Sequence, residues 1–175
     1  MSANTLQPNG LWWHCKASPY FWDRGNGFAA LGFAETLTYL PEDHSSREQL
    51  LHTHLLHLEG LVNHQDESGM WRQLVDMPET YREFSTTSMI GYSLARGLRE
   101  GWLASEWRPM LDKAWAGIAE RISDSGELEH VCVGTGPLES LDAYVNRSYT
   151  DGLDDRGGAM ALWFAVEMAR LEAGV

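Results

Sequence analysis

Phe21-Trp22-Asp23-Arg24-Gly25-Asn26-Gly27-Phe28 holds large aromatics, an acid, a base and two glycines within eight residues. It follows an aromatic segment, Leu11-Trp12-Trp13-His14, and runs straight into small and apolar residues from Ala29 to Ala34. This reads as a loop that delivers polar groups to the start of a buried helix spanning Gly27 to Leu40. Glycine permits backbone shapes that other residues resist. The free N–H groups at a helix start suit an anionic ligand. The stretch is therefore expected to form one wall of a binding site.

The same pattern returns twice. Ser68-Gly69-Met70-Trp71-Arg72-Gln73 precedes a loop through Tyr81-Arg82-Glu83-Phe84-Ser85 and a helix from about Thr87 to Leu98. Ser125-Gly126-Glu127-Leu128-Glu129-His130 precedes a longer loop to Asp154-Asp155-Arg156-Gly157-Gly158 and a helix to about Leu171. Trp12 and Trp71 lie 59 positions apart, and Trp71 and Leu128 lie 57 apart. A repeat of that length means stacked supersecondary units.

The helices after the loops are apolar or small nearly all round, from Phe28 to Ala34 and from Ala159 to Val166, which marks buried helices. Between them lie one-sided helices. Arg47 to His64 carries Leu51, Leu55, Leu58 and Val62, and Glu106 to Ile122 carries Trp107, Leu111, Ala114, Ile118 and Ile122, both at helical spacing. Inner helices alternating with outer ones predict an all-α array of α/α hairpins, about three of them, in one domain spanning 1–175, with the loops gathered at one end.

Composition narrows the function. Hydrophobic residues make up 43% of the 175, enough for a core. A net charge of −12 argues against a nucleic-acid backbone or an anionic membrane surface as partner. Lysine occurs only at Lys16 and Lys113, so the basic groups are mostly arginines, which clamp carboxylates bidentately. Cys15 and Cys132 have neither metal nor redox spacing and read as free thiols of a cytoplasmic protein. The N-terminus, from Met1 to Pro8, shows no leader pattern. His52, His54, His57 and His64 lack a matching Cys or carboxylate set, so they read as a solvated helix face with no metal, and no cofactor is expected.

Taken in order, Trp22-X-Arg24-Gly25-Asn26-Gly27-Phe28, Gln65-Asp66-X-X-Gly69-Met70-Trp71-Arg72-Gln73, Tyr81-Arg82-Glu83-Phe84-Ser85, Val131-Cys132-Val133-Gly134-Thr135-Gly136 and Asp155-Arg156-Gly157-Gly158-Ala159 resemble the C-terminal half of the unsaturated glucuronyl and rhamnogalacturonyl hydrolases, glycoside hydrolase families 88 and 105. The resemblance runs from about Leu11 to Leu171. It implies about three hairpins of an (α/α)6 toroid, with two copies (a homodimer) or a partner half-barrel completing the ring. It implies removal of an unsaturated uronic acid from lyase-generated oligosaccharides by hydration of the vinyl ether.

That chemistry needs an acid that can donate a proton and then activate water. The resemblance places an aspartate shortly upstream of the Trp22 motif, where Cys15-Lys16-Ala17-Ser18-Pro19-Tyr20 has none. Asp23 is then the candidate acid, or else a helix cap or a partner for Arg24. Arg24 is the candidate for anion binding or for a structural ion pair. Trp22 and Trp71 are candidates for stacking on a sugar face. His14, Asn26, Arg72, Glu83 and Arg147 complete the expected substrate-binding set. Two other readings stay open: a non-catalytic half-toroid that binds sugar or a partner, and a different α/α-toroid sugar enzyme.

Overall fold

The computed structural model describes residues 5–175. The N-terminal stretch read for a leader begins at Met1, and its first four residues lie outside those described. The long helices are α1 (Asp23–Tyr39), α2 (Arg47–Val62), α3 (Phe84–Arg99), α4 (Arg108–Ala119) and, after the short α5 (Leu141–Val145), α6 (Asp155–Ala173). Two small antiparallel ribbons join the loops at one end: β1 (Trp71–Arg72) with β2 (Arg82–Glu83), and β3 (Leu128–Cys132) with β4 (Tyr149–Gly152). No helix among the described residues is long and apolar enough to cross a membrane.

The inner layer is an arc of three helices with α3 in the middle, packed on α1 at one side and α6 at the other. Every residue of α3 from Phe84 to Gly97 is buried. Small residues let the helices close up: a Cβ on Gly27 would sit 2.9 Å from the Met89 methyl, and one on Gly91 2.3 Å from the Phe164 ring. At the lower ends, buried Glu167 of α6 lies 2.8 Å from Arg96 Nε and 2.5 Å from Arg99 Nε of α3, so the helices are also tied by charge.

The repeat appears in the backbone. Gly10, Gly69 and Gly126 take φ values of +83°, +81° and +82°, which glycine adopts without strain. The first two are locked onto outer helices. A Cβ on Gly10 would lie 2.2 Å from Leu56 O of α2, and one on Gly69 2.0 Å from Lys113 O of α4. Four residues further along each outer helix a second glycine, Gly60 or Gly117, makes room for Asn9 O or Ser68 O, each 2.5 Å from the missing Cβ. Gly126 has the same backbone and open space around it.

Three expectations change. Trp22-Asp23-Arg24-Gly25-Asn26-Gly27 is not a loop: Trp22 precedes the first turn of α1, and Asp23 to Gly27 are helical. Its small residues serve packing rather than a turn. The inward face of α2 is His54, His57, Leu58 and Leu61; of the expected stripe Leu58 is buried and Leu55 packs against the core, whereas Val62 is exposed. His54 stacks on Phe33 and bonds Ser93 Oγ at 3.1 Å, and His57 meets Asn26 Oδ1 at 3.2 Å, so this pair is buried rather than solvated. The inner helices α1 and α6 are not covered all round. Phe28 on α1, and Leu162, Trp163 and Val166 on α6, are exposed, with no further helix among the described residues covering them.

Candidate functional site

Three helix starts converge at the loop end of the arc around a cavity of about 290 Å³. The second residue of each inner helix lines it: Arg24 on α1, Ser85 on α3 and Arg156 on α6. So does the residue one turn later: Phe28, Met89 and Met160. Asp155 and Ala159 complete the wall. The cavity is thus built from equivalent positions of the three repeats. Helix N-termini carry partial positive charge, and two guanidinium groups add to it. Most of the wall is apolar, from Phe28, Met89, Ala159 and Met160, with the Asp155 carboxylate beside the two guanidinium groups. The combination suits a ring that carries a carboxylate.

Arg24 is 5% exposed and rigidly held. Its Nε donates to Ser85 Oγ at 3.1 Å, its Nη2 donates to Cys132 O, and Glu83 Oε1 stands 3.7 Å from Nη2. Nη1 has no protein partner among the described residues. Arg156 is exposed and has no ion pair among the described residues. Asp154 fixes the start of its helix by accepting from Gly157 N at 2.7 Å.

Beneath Arg24 lies a sealed acidic layer. Asp23 and Glu83 are both 0% exposed. Asp23 Oδ1 accepts from Arg24 N at 2.6 Å, and its Oδ2 has no donor among the described residues. Burial, reinforced by the neighbouring Glu83, pushes the Asp23 pKa well above the usual carboxylate range, which favours its protonated form. Burial likewise raises the Cys132 thiol to about 12, with the nearby Asp23 and Glu83 adding to the effect, so it is not a nucleophile. Tyr81, buried beside the same groups, is raised too.

Of the residues singled out in the sequence, Arg24 is the one that lines this cavity. Asp23 is enclosed and touches no open space. Glu83 caps α3 by accepting from Thr86 N at 2.5 Å. Asn26 is a core residue, bonding Trp12 N at 2.9 Å and Trp12 O at 3.0 Å. Trp71 is wholly buried, with its indole N–H on Leu61 O at 2.8 Å, and Trp22 is 6% exposed and packed on His14, so neither offers a free face to a sugar. His14 Nδ1 meets Tyr144 Oη at 2.5 Å, and partial burial lowers its pKa. Arg72 pairs with Asp66 at 2.8 Å, and Arg147 holds Gly134 O at 2.6 Å; both brace loops. Phe28, Ser85, Asp155 and Arg156 stand in the quoted motifs but outside the expected substrate-binding set, and Met89 and Met160 stand outside both. Superposing the three repeats from the first residue of each inner helix would have found them.

A buried inner arc of α/α hairpins, with the loops and a cavity gathered at one end, defines part of an α/α toroid. The chain belongs to Glycosyl Hydrolase Family 88, whose family model matches residues 9–172. It is 30% identical over 131 residues to an unsaturated 3S-rhamnoglycuronyl hydrolase of Alteromonas, covering 71% of this chain and 32% of that protein. It is 28% identical over 153 residues to an unsaturated rhamnogalacturonyl hydrolase of Bacillus subtilis, covering 87% of this chain and 42% of that protein. Its fold matches a possible GH105 member from Salmonella enterica with a TM-score of 0.87 at 30% identity, covering 95% of this chain and 46% of that one. The chain thus spans less than half the length of these relatives.

Proposed function

We propose that this chain forms the carboxylate-binding wall of an enzyme that removes unsaturated uronic acid from oligosaccharides by hydrating the vinyl ether. The observation that carries this is the convergence of Arg24 and Arg156 at three helix N-termini beside a mostly apolar wall. In the reaction an acid gives a proton to one carbon of the double bond, and water adds its oxygen to the carbon bearing the ring oxygen. The resulting hemiketal opens and releases the linked sugar. Positive charge develops on the ring carbon beside the carboxylate. Arginines that hold the carboxylate fix the ring against the acid and the water.

Asp23 has the protonation state an acid needs, but it is sealed under Arg24. We assign it to the support of Arg24 rather than to proton transfer. The acid then comes from structure that faces the cavity from outside this arc. This burial favours a second reading, in which the chain alone binds the sugar without turning it over. Two unpaired thiols, Cys15 and Cys132, support a cytoplasmic place of action.

Calorimetric titration with an unsaturated galacturonyl-rhamnose disaccharide tests the proposal. Binding is expected, and it should weaken in Arg24→Met and in Arg156→Met. Unchanged affinity in both variants overturns the assignment. Loss of the substrate's ultraviolet absorbance reports turnover, and binding without it selects the second reading.

A further inference from the structure

Glu83 is enclosed and cannot touch a ligand, yet its Oε1 is the hub of the contacts that hold the Arg24 guanidinium. Ser85 Oγ donates to it at 2.7 Å and accepts from Arg24 Nε at 3.1 Å. Cys132 N donates to it at 2.7 Å, while Cys132 O accepts from Arg24 Nη2. Arg24 Nη2 itself stands 3.7 Å from the same oxygen. Two bridging groups, one from α3 and one from β3, are therefore anchored to one carboxylate oxygen and grip the guanidinium from both sides. The other oxygen, Oε2, is spent on Thr86 N at the start of α3. The grip leaves Nη1 as the guanidinium nitrogen with no protein partner among the described residues.

We infer that Glu83 is a positioning residue. It locks Arg24 in the orientation that keeps Nη1 for the carboxylate of a uronate ligand. A guanidinium held by its Nε and one Nη cannot swing away, so little entropy is lost when the ligand binds. The inference deepens the functional reading above and rests on it for the identity of the ligand.

The test compares Glu83→Gln with the wild-type chain, titrating the unsaturated galacturonyl-rhamnose disaccharide and its methyl ester. Affinity for the free acid should fall about tenfold, the size of one lost charge-assisted contact, with the neutral ester unaffected. In the Arg24→Met background the same change should cost nothing further. Equal weakening of both ligands, or additivity with Arg24→Met, overturns the inference, because a purely structural defect would do that. Far-ultraviolet dichroism confirms that the variants are folded.

A ligand-free measurement separates this failure from failure of the functional reading. Hydrogen exchange at Arg24 Nε–H should be slow in the wild type and about tenfold faster in Glu83→Gln, because a neutral amide oxygen anchors Ser85 Oγ and Cys132 N more weakly than a carboxylate does. If the wild type ignores the disaccharide but shows this change, the ligand assignment falls and the role of Glu83 stands. If exchange is unaltered, the role of Glu83 falls.

Discussion

Asp23→Asn replaces a buried neutral acid with a neutral group of the same shape, and pH reveals what that is worth. A carboxyl whose pKa is raised by folding contributes fully below its unfolded value, near 4, and loses that contribution as pH rises toward its folded value. Asparagine does not titrate. With Asp23 protonated in the fold and ionised in the unfolded chain, the wild type loses about 1.4 kcal/mol per pH unit relative to the variant. Above pH 5 the gap should therefore widen in favour of Asp23→Asn for as long as Asp23 keeps its proton in the fold. The cause is visible in the structure: 0% exposure, an Oδ2 without a donor among the described residues, and Glu83 alongside. Urea unfolding of both proteins at half-unit pH steps measures the gap; groups distant from Asp23 cancel in the difference, and what remains belongs to Asp23 together with its neighbour Glu83. A gap that stays constant across this range means that Asp23 is ionised in the fold, and the neutral-acid argument is then wrong.

Two other outcomes follow from the packing. His54 and His57 are buried and neutral, with burial holding the first at about 3 and the second also well below its usual value. A base lowered by folding destabilises the fold as pH drops below its unfolded value. Each should thus remove about 1.4 kcal/mol per pH unit below about 6.5. Urea midpoints should show this, and His57→Gln should remove one histidine's share; an unchanged slope in that variant counts against it. Gly91→Ala would put a methyl group 2.3 Å from the Phe164 ring at the α3–α6 contact. It should cost about 1–3 kcal/mol by overpacking, read as a lower melting temperature, and an unchanged melting temperature would show that the contact is loose.

The hairpin order was legible because the 57–59-residue repeat of glycine and aromatic positions survives in the chain. The face of α2 was not. His54 and His57 count as polar in a hydrophobic stripe, yet each finds a buried partner, in Ser93 and Asn26. The start of α1 was misread because Gly25-Asn26-Gly27 has turn composition. There the small size of Gly27 answers to Thr86 and Met89 on the neighbouring helix, a contact that sequence separation conceals. The cavity drew Arg24 from the most conspicuous motif, but its other walls come from plain residues whose meaning lies in their repeat position. Serine and methionine at the start of α3 have no chemical signature until α1 and α6 are set beside it.

The glycine that keeps its bent backbone without a covering helix, Gly126, is a socket with a known plug. Gly10 and Gly69 show the plug's format: a carbonyl over the bend and a glycine four residues later, as at Leu56 and Gly60 or Lys113 and Gly117. For an engineer this is a coupling standard. A helix written to that format could be attached at this edge, and the array lengthened one unit at a time without redrawing its interior.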